Sequence, residues 1–180
     1  MQFDAMVILA VLFLIFVTIL YSPIFFILRK KGKTALRQLG YLLFLWSFLL
    51  ILFMTLMPTG SISGNFYLNL RPFLWLMPEN FSMAELVESI ANVLMFIPLG
   101  TLVPIIFKKL RKCHLTIGTI FMLSFSIEFI QYFMRRVSDI DDLIANVLGG
   151  LIGYGIFKIF DHFFHSQDWW HKVLGLNTNN

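Results

Sequence analysis

Residues 5–28 read AMVILAVLFLIFVTILYSPIFFIL, a run without a single charged side chain. An α-helix rises 1.5 Å per residue, so about 20 apolar residues cross the roughly 30 Å hydrocarbon core of a bilayer. Four further apolar runs are long enough to do the same, at 39–57, 89–107, 115–133 and 143–160. The sequence therefore predicts an all-α, polytopic membrane bundle with five transmembrane helices.

The composition excludes an ordinary soluble domain. The chain is 58% hydrophobic and 13% charged, with a mean hydropathy of +0.81, whereas soluble domains carry about 25% charged residues. The net charge of +4 does not indicate a nucleic-acid partner, because the basic residues cluster in short loops between apolar runs. The single cysteine, Cys113, excludes an internal disulfide. Membrane lipids are the expected partners, and no cofactor or metal is expected.

The loops predict an orientation in the membrane. Of the 14 lysine and arginine residues, 11 fall on one side of the predicted bundle, mainly within 29–37 and 108–112. Loops rich in Lys and Arg face the cytoplasm. We therefore expect a multi-pass protein of the cytoplasmic membrane with its N-terminus outside and its C-terminus inside.

Three other segments carry local predictions. Residues 66–75 lie in the long outer loop and are too apolar for a solvated loop, so we expect an interfacial or re-entrant segment. Ser82 and Glu85 form a capping-box pattern, which predicts that the third helix begins near Met83. The tail, 161–180, contains two tryptophans and is typical of an interfacial anchor, with a frayed end at 177–180.

Polar residues recur on three of the predicted helices at the same outer depth. The spacing i, i+3 or i+4, i+7 places each set on one helical face, and charged residues inside a bilayer are costly enough to suggest function. The sets are Glu85, Glu88 and Asn92; Glu128, Gln131 and Arg135; and Asp139, Asp142 and Asn146. We expect the three faces to meet, while Asp141 lies off this face and is predicted to be a solvated turn charge. A purely architectural role for the same residues stays open.

Small residues and prolines predict how these helices pack. Pro98 removes a backbone hydrogen bond inside the third helix and should bend it. Gly149 and Gly153 permit close approach of a neighbouring helix. Together with Gly100, these residues are predicted to be structural.

The ordered motifs resemble the VanZ-like family of bacterial membrane proteins. The family pattern is similar to four stretches of this chain, which are Asn69-x-Arg71-Pro72-Phe73, Asn92-x-x-x-Phe96-x-Pro98-x-Gly100, Glu128-x-x-Gln131 and Arg136-x-x-Asp139-x-x-Asp142-x-x-x-Asn146-x-x-Gly149. The resemblance covers roughly residues 69–160. It implies a cell-envelope role and, from the family's founding member, resistance to the glycopeptide antibiotic teicoplanin. The expected organisation is two helices in 1–58, a VanZ-like domain in 59–160 and a cytoplasmic tail in 161–180.

Three functions fit these residues. The favoured one is non-catalytic: a polar pocket binds an amphiphile, a glycopeptide or a lipid-linked ligand, or modulates the outer membrane surface. Its expected ligand-binding residues are Arg71, Asn92, Gln131, Arg136, Asp139 and Asn146, with the choice between Arg135 and Arg136 left open. The second is an intramembrane enzyme for a lipid-linked substrate, in which Glu128 is the general acid or base and Asp142, with Asp139, holds a divalent cation. The third is a small proton-coupled transporter.

Overall fold

A computed structural model describes residues 2–56, 67–73, 76–77 and 80–176 of the protein. Within this part of the chain there are six α-helices, two three-residue strands and a 3-10 turn at Lys108–Leu110. The helices are α1 (Gln2–Lys30), α2 (Ala35–Leu56), α3 (Met83–Ile106), α4 (Cys113–Phe133), α5 (Ile140–Phe164) and α6 (Asp168–Leu174), and the strands are β1 (Tyr67–Asn69) and β2 (Val137–Asp139). The prediction of an all-α architecture is confirmed, and a small two-stranded sheet is added to it.

Helices α1 to α5 are each long and apolar enough to cross a membrane, which confirms the five predicted spans. Polar side chains cap the starts of two of these helices. Ser82 accepts a hydrogen bond from the Glu85 amide at the start of α3, as predicted, and Asp139 accepts one from the Asp141 amide at the start of α5. The two ends of the bundle differ in their connections. We call the end that contains β1 and β2 the strand end, and the end that contains the 29–37 and 108–112 loops the basic end.

Helices α3 and α5 form the most extensive pairing in the bundle. A Cβ atom added to Gly149 would overlap the backbone oxygen of Val93, and one added to Gly153 would overlap that of Ile97. Gly100 meets the backbone of Gly150 in the same way. The predicted packing role of these glycines thus corresponds to backbone-to-backbone contact between the two helices.

The two strands were not predicted. Strand β1 pairs in parallel with β2, with Leu68 opposite Ser138 and Asn69 opposite Asp139. The apolar outer segment of the sequence is therefore partly a strand, fastened to the loop between α4 and α5. Its placement in the membrane interface stays a prediction, and residues 66, 74 and 75 lie outside the described residues.

Helix α6 packs against the basic end of the bundle. Trp170 is buried with Phe157, Ile105 and Leu174, and its indole N–H donates to Asp161 at 3.0 Å. Trp169 is exposed. The tail is therefore docked on the protein through one of its two tryptophans; residues 177–180, predicted to be frayed, lie outside the described residues.

Two arginines hold that end together. Arg37, which is buried, donates to the carbonyl oxygens of Ile105 at 2.7 Å, Ile106 at 2.7 Å and Val173 at 2.6 Å. The last four carbonyls of a helix lack partners within it, so Arg37 caps α3 and joins it to α6. Arg111 donates to Pro104 and Leu174 in parallel. Burial and then the nearby Arg37 charge lower the pKa of Arg111.

Candidate functional site

A cavity of about 230 Å³ lies at the strand end between α2, α3, α4 and α5. Four apolar residues line it, Met54, Ala91, Met95 and Ile127. The remaining lining is polar and comes from Thr55, Glu88, Asn92, Glu128, Gln131, Arg136, Asp142 and Asn146. We call this space the polar cavity. The sequence placed polar faces of three helices opposite one another, and the cavity lies where those faces meet.

Helix α3 faces the polar cavity with Glu88, Asn92 and Met95, at the spacing of one helical face. The Asn92 amide nitrogen donates to Oδ1 of Asp142 at 2.6 Å, and thus fixes both the amide and the carboxylate. Asn92 is buried, whereas Glu88 is exposed. The α3–α5 side of the cavity is therefore a rigid hydrogen-bonded pair, and Glu88 stands at its rim.

Glu128 on α4 is 7% exposed, and one of its oxygens accepts two hydrogen bonds. The Ser138 hydroxyl donates to Oε2 at 2.9 Å and the Asp139 backbone amide donates to the same atom at 3.0 Å. Both donors lie in β2. The carboxylate therefore fastens the strand to α4, in addition to lining the polar cavity.

Gln131 and Arg136 meet at the end of α2. The Gln131 amide nitrogen donates to the Thr55 carbonyl at 2.8 Å, and Arg136 Nη1 donates to the same oxygen at 2.5 Å. Since a carbonyl can only accept, the orientation of the Gln131 amide is fixed and its Oε1 atom lies on the other side. Oε1 is buried and has no hydrogen-bond partner among the described residues, so a residue of the cavity lining has an acceptor that lacks a donor.

Asn146 on α5 is 2% exposed and also faces the polar cavity. Its amide nitrogen donates to the hydroxyl of Ser124 at 2.9 Å. Its oxygen, like that of Gln131, has no partner within the described part of the chain. A buried polar atom without a partner costs roughly 1–3 kcal/mol, so a donor that reached this oxygen would be bound favourably.

The structure shows which of the two adjacent arginines, Arg135 or Arg136, faces the polar cavity. Helix α4 ends at Phe133, and the Arg136 amide donates to Gln131 O while the Arg135 amide donates to Tyr132 O. This is a Schellman ending, in which Arg135 occupies the left-handed position with φ of 56°. The prediction that Arg135 continues the face of Glu128 and Gln131 is therefore wrong, because the helix has already ended. Arg136 lines the polar cavity.

Two residues predicted to bind ligand lie outside the cavity lining. Asp139 caps α5 through Oδ1 and accepts a hydrogen bond from the Asn69 amide nitrogen through Oδ2, both at 2.9 Å. Arg71 is exposed, and its backbone amide donates to Asn69 Oδ1. Both belong to the β1–β2 region above the cavity. Pro98 also lies elsewhere, on the exposed side of α3.

Asp141 corrects another expectation. It is 6% exposed, and both of its carboxylate oxygens accept from the Phe73 amide, at 2.9 and 3.0 Å. It is thus a buried anchor for the segment that follows β1, not a solvated turn charge. The error arose because its partner comes from 68 residues earlier in the chain, which helical phase alone does not reveal.

Thr55, Ser124 and Ser138 are site residues that the sequence analysis did not select. Ser124 lies four residues before Glu128, on the same face of α4, and this spacing was an available signal. Thr55 accepts from Gln131 and Arg136 through its backbone carbonyl, for which no sequence signal exists. Ser138 reaches Glu128 through strand pairing, which the sequence analysis did not predict.

The polar cavity contains three carboxylates and one guanidinium. Glu88, Glu128 and Asp142 line it together with Arg136. The amide nitrogens of Asn92, Gln131 and Asn146 each donate to an acceptor of the protein, and the carboxylates outnumber the guanidinium in the lining. This arrangement suits a ligand that brings N–H or O–H donors.

Comparison with known proteins agrees with the motifs. The VanZ/LLP1 family matches residues 6–161, which is most of the chain and includes α1 and α2 as well as the region of the motifs. Neither curated proteins nor solved structures gave a match. With five membrane-spanning helices and a family match over almost the whole of them, this multi-pass membrane protein belongs to the VanZ/LLP1 family.

Proposed function

We propose that the protein binds an amphiphilic ligand in the polar cavity and thereby contributes to resistance against teicoplanin-type glycopeptides. The observation that carries the binding function is the unpartnered Oε1 atom of the buried Gln131, within a cavity walled by fixed polar groups. Buried polar groups are expensive in an apolar surrounding unless something satisfies them. The resistance role comes from the resemblance to the VanZ-like family's founding member.

The orientation of the protein is part of the proposal. The basic end contains 11 of the 14 lysine and arginine residues, which favours a cytoplasmic location for that end. The strand end, with the polar cavity, then faces outward from the cytoplasmic membrane of a bacterium. A ligand in the outer leaflet, or a drug that arrives from outside, would reach the cavity without crossing the membrane.

Binding is favoured over acid–base catalysis by the contacts of Glu128. Its Oε2 atom already accepts from Ser138 and from the Asp139 amide, so proton transfer at that atom would disturb the anchor of β2. Asp139, the proposed second ligand for a divalent cation, uses its two oxygens on Asn69 and the Asp141 amide. Cation binding by Asp139 would therefore compete with contacts that hold the site together, and acid–base chemistry would be confined to the other carboxylate oxygen of Glu128.

The test is teicoplanin susceptibility of a sensitive Gram-positive host that expresses the protein. The intact chain is compared with Arg136→Ala, which alters the cavity lining, and with Arg135→Ala as the matched control, since Arg135 is the exposed neighbour outside that lining. Membrane levels of each variant are measured in parallel. We expect the intact chain and Arg135→Ala to raise resistance and Arg136→Ala to lose most of the increase. No increase with the intact chain would refute the resistance function.

A further inference from the structure

A second, apolar space adjoins the polar cavity. It has a volume of about 360 Å³ and lies between α1, α2 and α3, with Leu43, Trp46, Leu50, Leu94, Met95 and Pro98 among its lining residues. We call it the apolar groove. Met95 lines both spaces, so the polar cavity and the apolar groove meet at this side chain.

The same two helix faces continue from one space into the other. On α2, Leu43, Trp46 and Leu50 line the groove and Met54 lines the cavity, at spacings of three or four residues. From Met54 to Leu43 the helix rises about 16 Å, close to half of the roughly 30 Å hydrocarbon thickness. The two spaces together thus extend along α2 over about the depth of one leaflet, with the groove on the side of the basic end.

The residues that line the polar cavity favour a particular kind of lipid head group. Gln131 Oε1 needs a donor, because the amide nitrogen is held by the Thr55 carbonyl. Glu88, Glu128 and Asp142 outnumber the single cation Arg136 in the lining. A head group with N–H donors and a positive charge matches both features, whereas a quaternary ammonium has the charge without the donors.

We propose that the polar cavity and the apolar groove together hold one lipid, with a primary ammonium head group in the cavity and an acyl chain along the groove. This inference rests on the proposed binding function and specifies its ligand class. The carboxylates and Gln131 Oε1 bind the ammonium, and Met95 contacts the glycerol-to-chain junction. The chain then lies against Trp46 and Leu50 on α2.

Trp46 provides the readout, because it lines the apolar groove and brominated acyl chains quench nearby tryptophans. The protein is placed in phosphatidylcholine nanodiscs that contain the same minor fraction of one brominated lipid, either phosphatidylethanolamine, phosphatidylcholine or phosphatidylglycerol. Subtracting the quenching of Trp46→Phe isolates the signal of Trp46. We expect brominated phosphatidylethanolamine to be enriched at Trp46 about fivefold over brominated phosphatidylcholine, the factor that one hydrogen bond provides.

Two variants on α4 connect this preference to the cavity. Gln131→Leu removes the acceptor and should abolish the preference, whereas Ser126→Ala, an exposed residue bonded only within its own helix, should retain it. If Gln131→Leu does not assemble, Glu88→Gln, at the exposed rim, replaces it and should weaken the preference. Both variants are compared at equal protein and probe concentration.

Three results would overturn the inference. Equal quenching by phosphatidylethanolamine and phosphatidylcholine would exclude head-group selection. Quenching by phosphatidylglycerol at or above that of phosphatidylethanolamine would exclude an ammonium as the recognised group. A preference that survives Gln131→Leu would place the head group outside the polar cavity. The nanodisc measurements do not depend on the susceptibility of cells. The resistance assay therefore tests the proposed function separately.

Discussion

The amide nitrogen of Asn92 lies 2.6 Å from Oδ1 of Asp142 and joins α3 to α5 across 50 residues of sequence. The bond lies at the wall of the polar cavity, at the strand end of the closely packed helix pair. It satisfies a carboxylate that is otherwise surrounded by helices. The Asn92–Asp142 pair therefore stabilises the packing of α3 against α5, in addition to any contact with a ligand.

Replacement of Asn92 by leucine should destabilise the protein by about 1–3 kcal/mol, because the change leaves the Asp142 carboxylate without its donor. Thermal unfolding of the purified protein in detergent measures this loss. Val87→Ala, at an exposed position of the same helix, serves as the control and should have little effect. Equal stability of Asn92→Leu and the intact protein would show that the bond is not important for folding.

Glu128→Gln should preserve the fold, because a glutamine oxygen can still accept from Ser138 and from the Asp139 amide. It should also keep part of the resistance, because Glu88 and Asp142 still provide negative charge in the polar cavity. Glu128→Leu has no acceptor and should lower the free energy of unfolding by about 1–3 kcal/mol. Unfolding and teicoplanin susceptibility are measured on both variants. A folded Glu128→Gln protein that has lost all resistance would favour acid–base chemistry over binding.

Gly153→Ala should destabilise the α3–α5 pair by about 1–3 kcal/mol, since the added Cβ would meet the backbone oxygen of Ile97. Gly155→Ala, two residues away on the same helix, has open space around its Cβ. It should be neutral or stabilising by up to about 1 kcal/mol, because alanine is the better helix former. Similar melting temperatures for the two variants would contradict the close packing of the helices.

Asp141→Ala should release the segment that follows β1, because the Phe73 amide loses its acceptor. Hydrogen exchange of the amides in 67–73 should accelerate, whereas exchange in the middle of α4 should not change. Phe73 has a φ of 59°, a conformation that is unfavourable for a bulky residue, and Asp141 helps to hold it. Unchanged exchange at Phe73 would show that the bond contributes little.

The long elements and the site could be predicted from the sequence to very different extents. The apolar runs and the cap at Ser82 are local signals, so the five spans and the start of α3 followed from them. Strands of three residues are too short to show an alternating pattern, and β1 pairs with residues 70 positions away. The sheet, and with it the burial of Asp141 and the anchoring of Glu128, therefore had no local signal.

Errors within the site have the same origin. The spacing i, i+3, i+7 predicts that Arg135 shares a helical face with Glu128 and Gln131, but the helix ends at Phe133. The polar faces of α3, α4 and α5 were predictable because helical spacing is a strong pattern. Gln131 and Arg136 both contact the backbone carbonyl of Thr55. Every residue has such a carbonyl, so the sequence does not indicate which one lies in the site.

The contacts of Arg37 impose an order on the biosynthesis of the protein. Arg37 is near the start of α2, but one of its acceptors, the Val173 carbonyl, is 136 residues further along the chain. Arg37 is translated before α3 to α5, so its guanidinium lacks this last acceptor until α6 has been translated. The contact between Arg37 and α6 is thus a late event, which completes the basic end only after α6 has been synthesised.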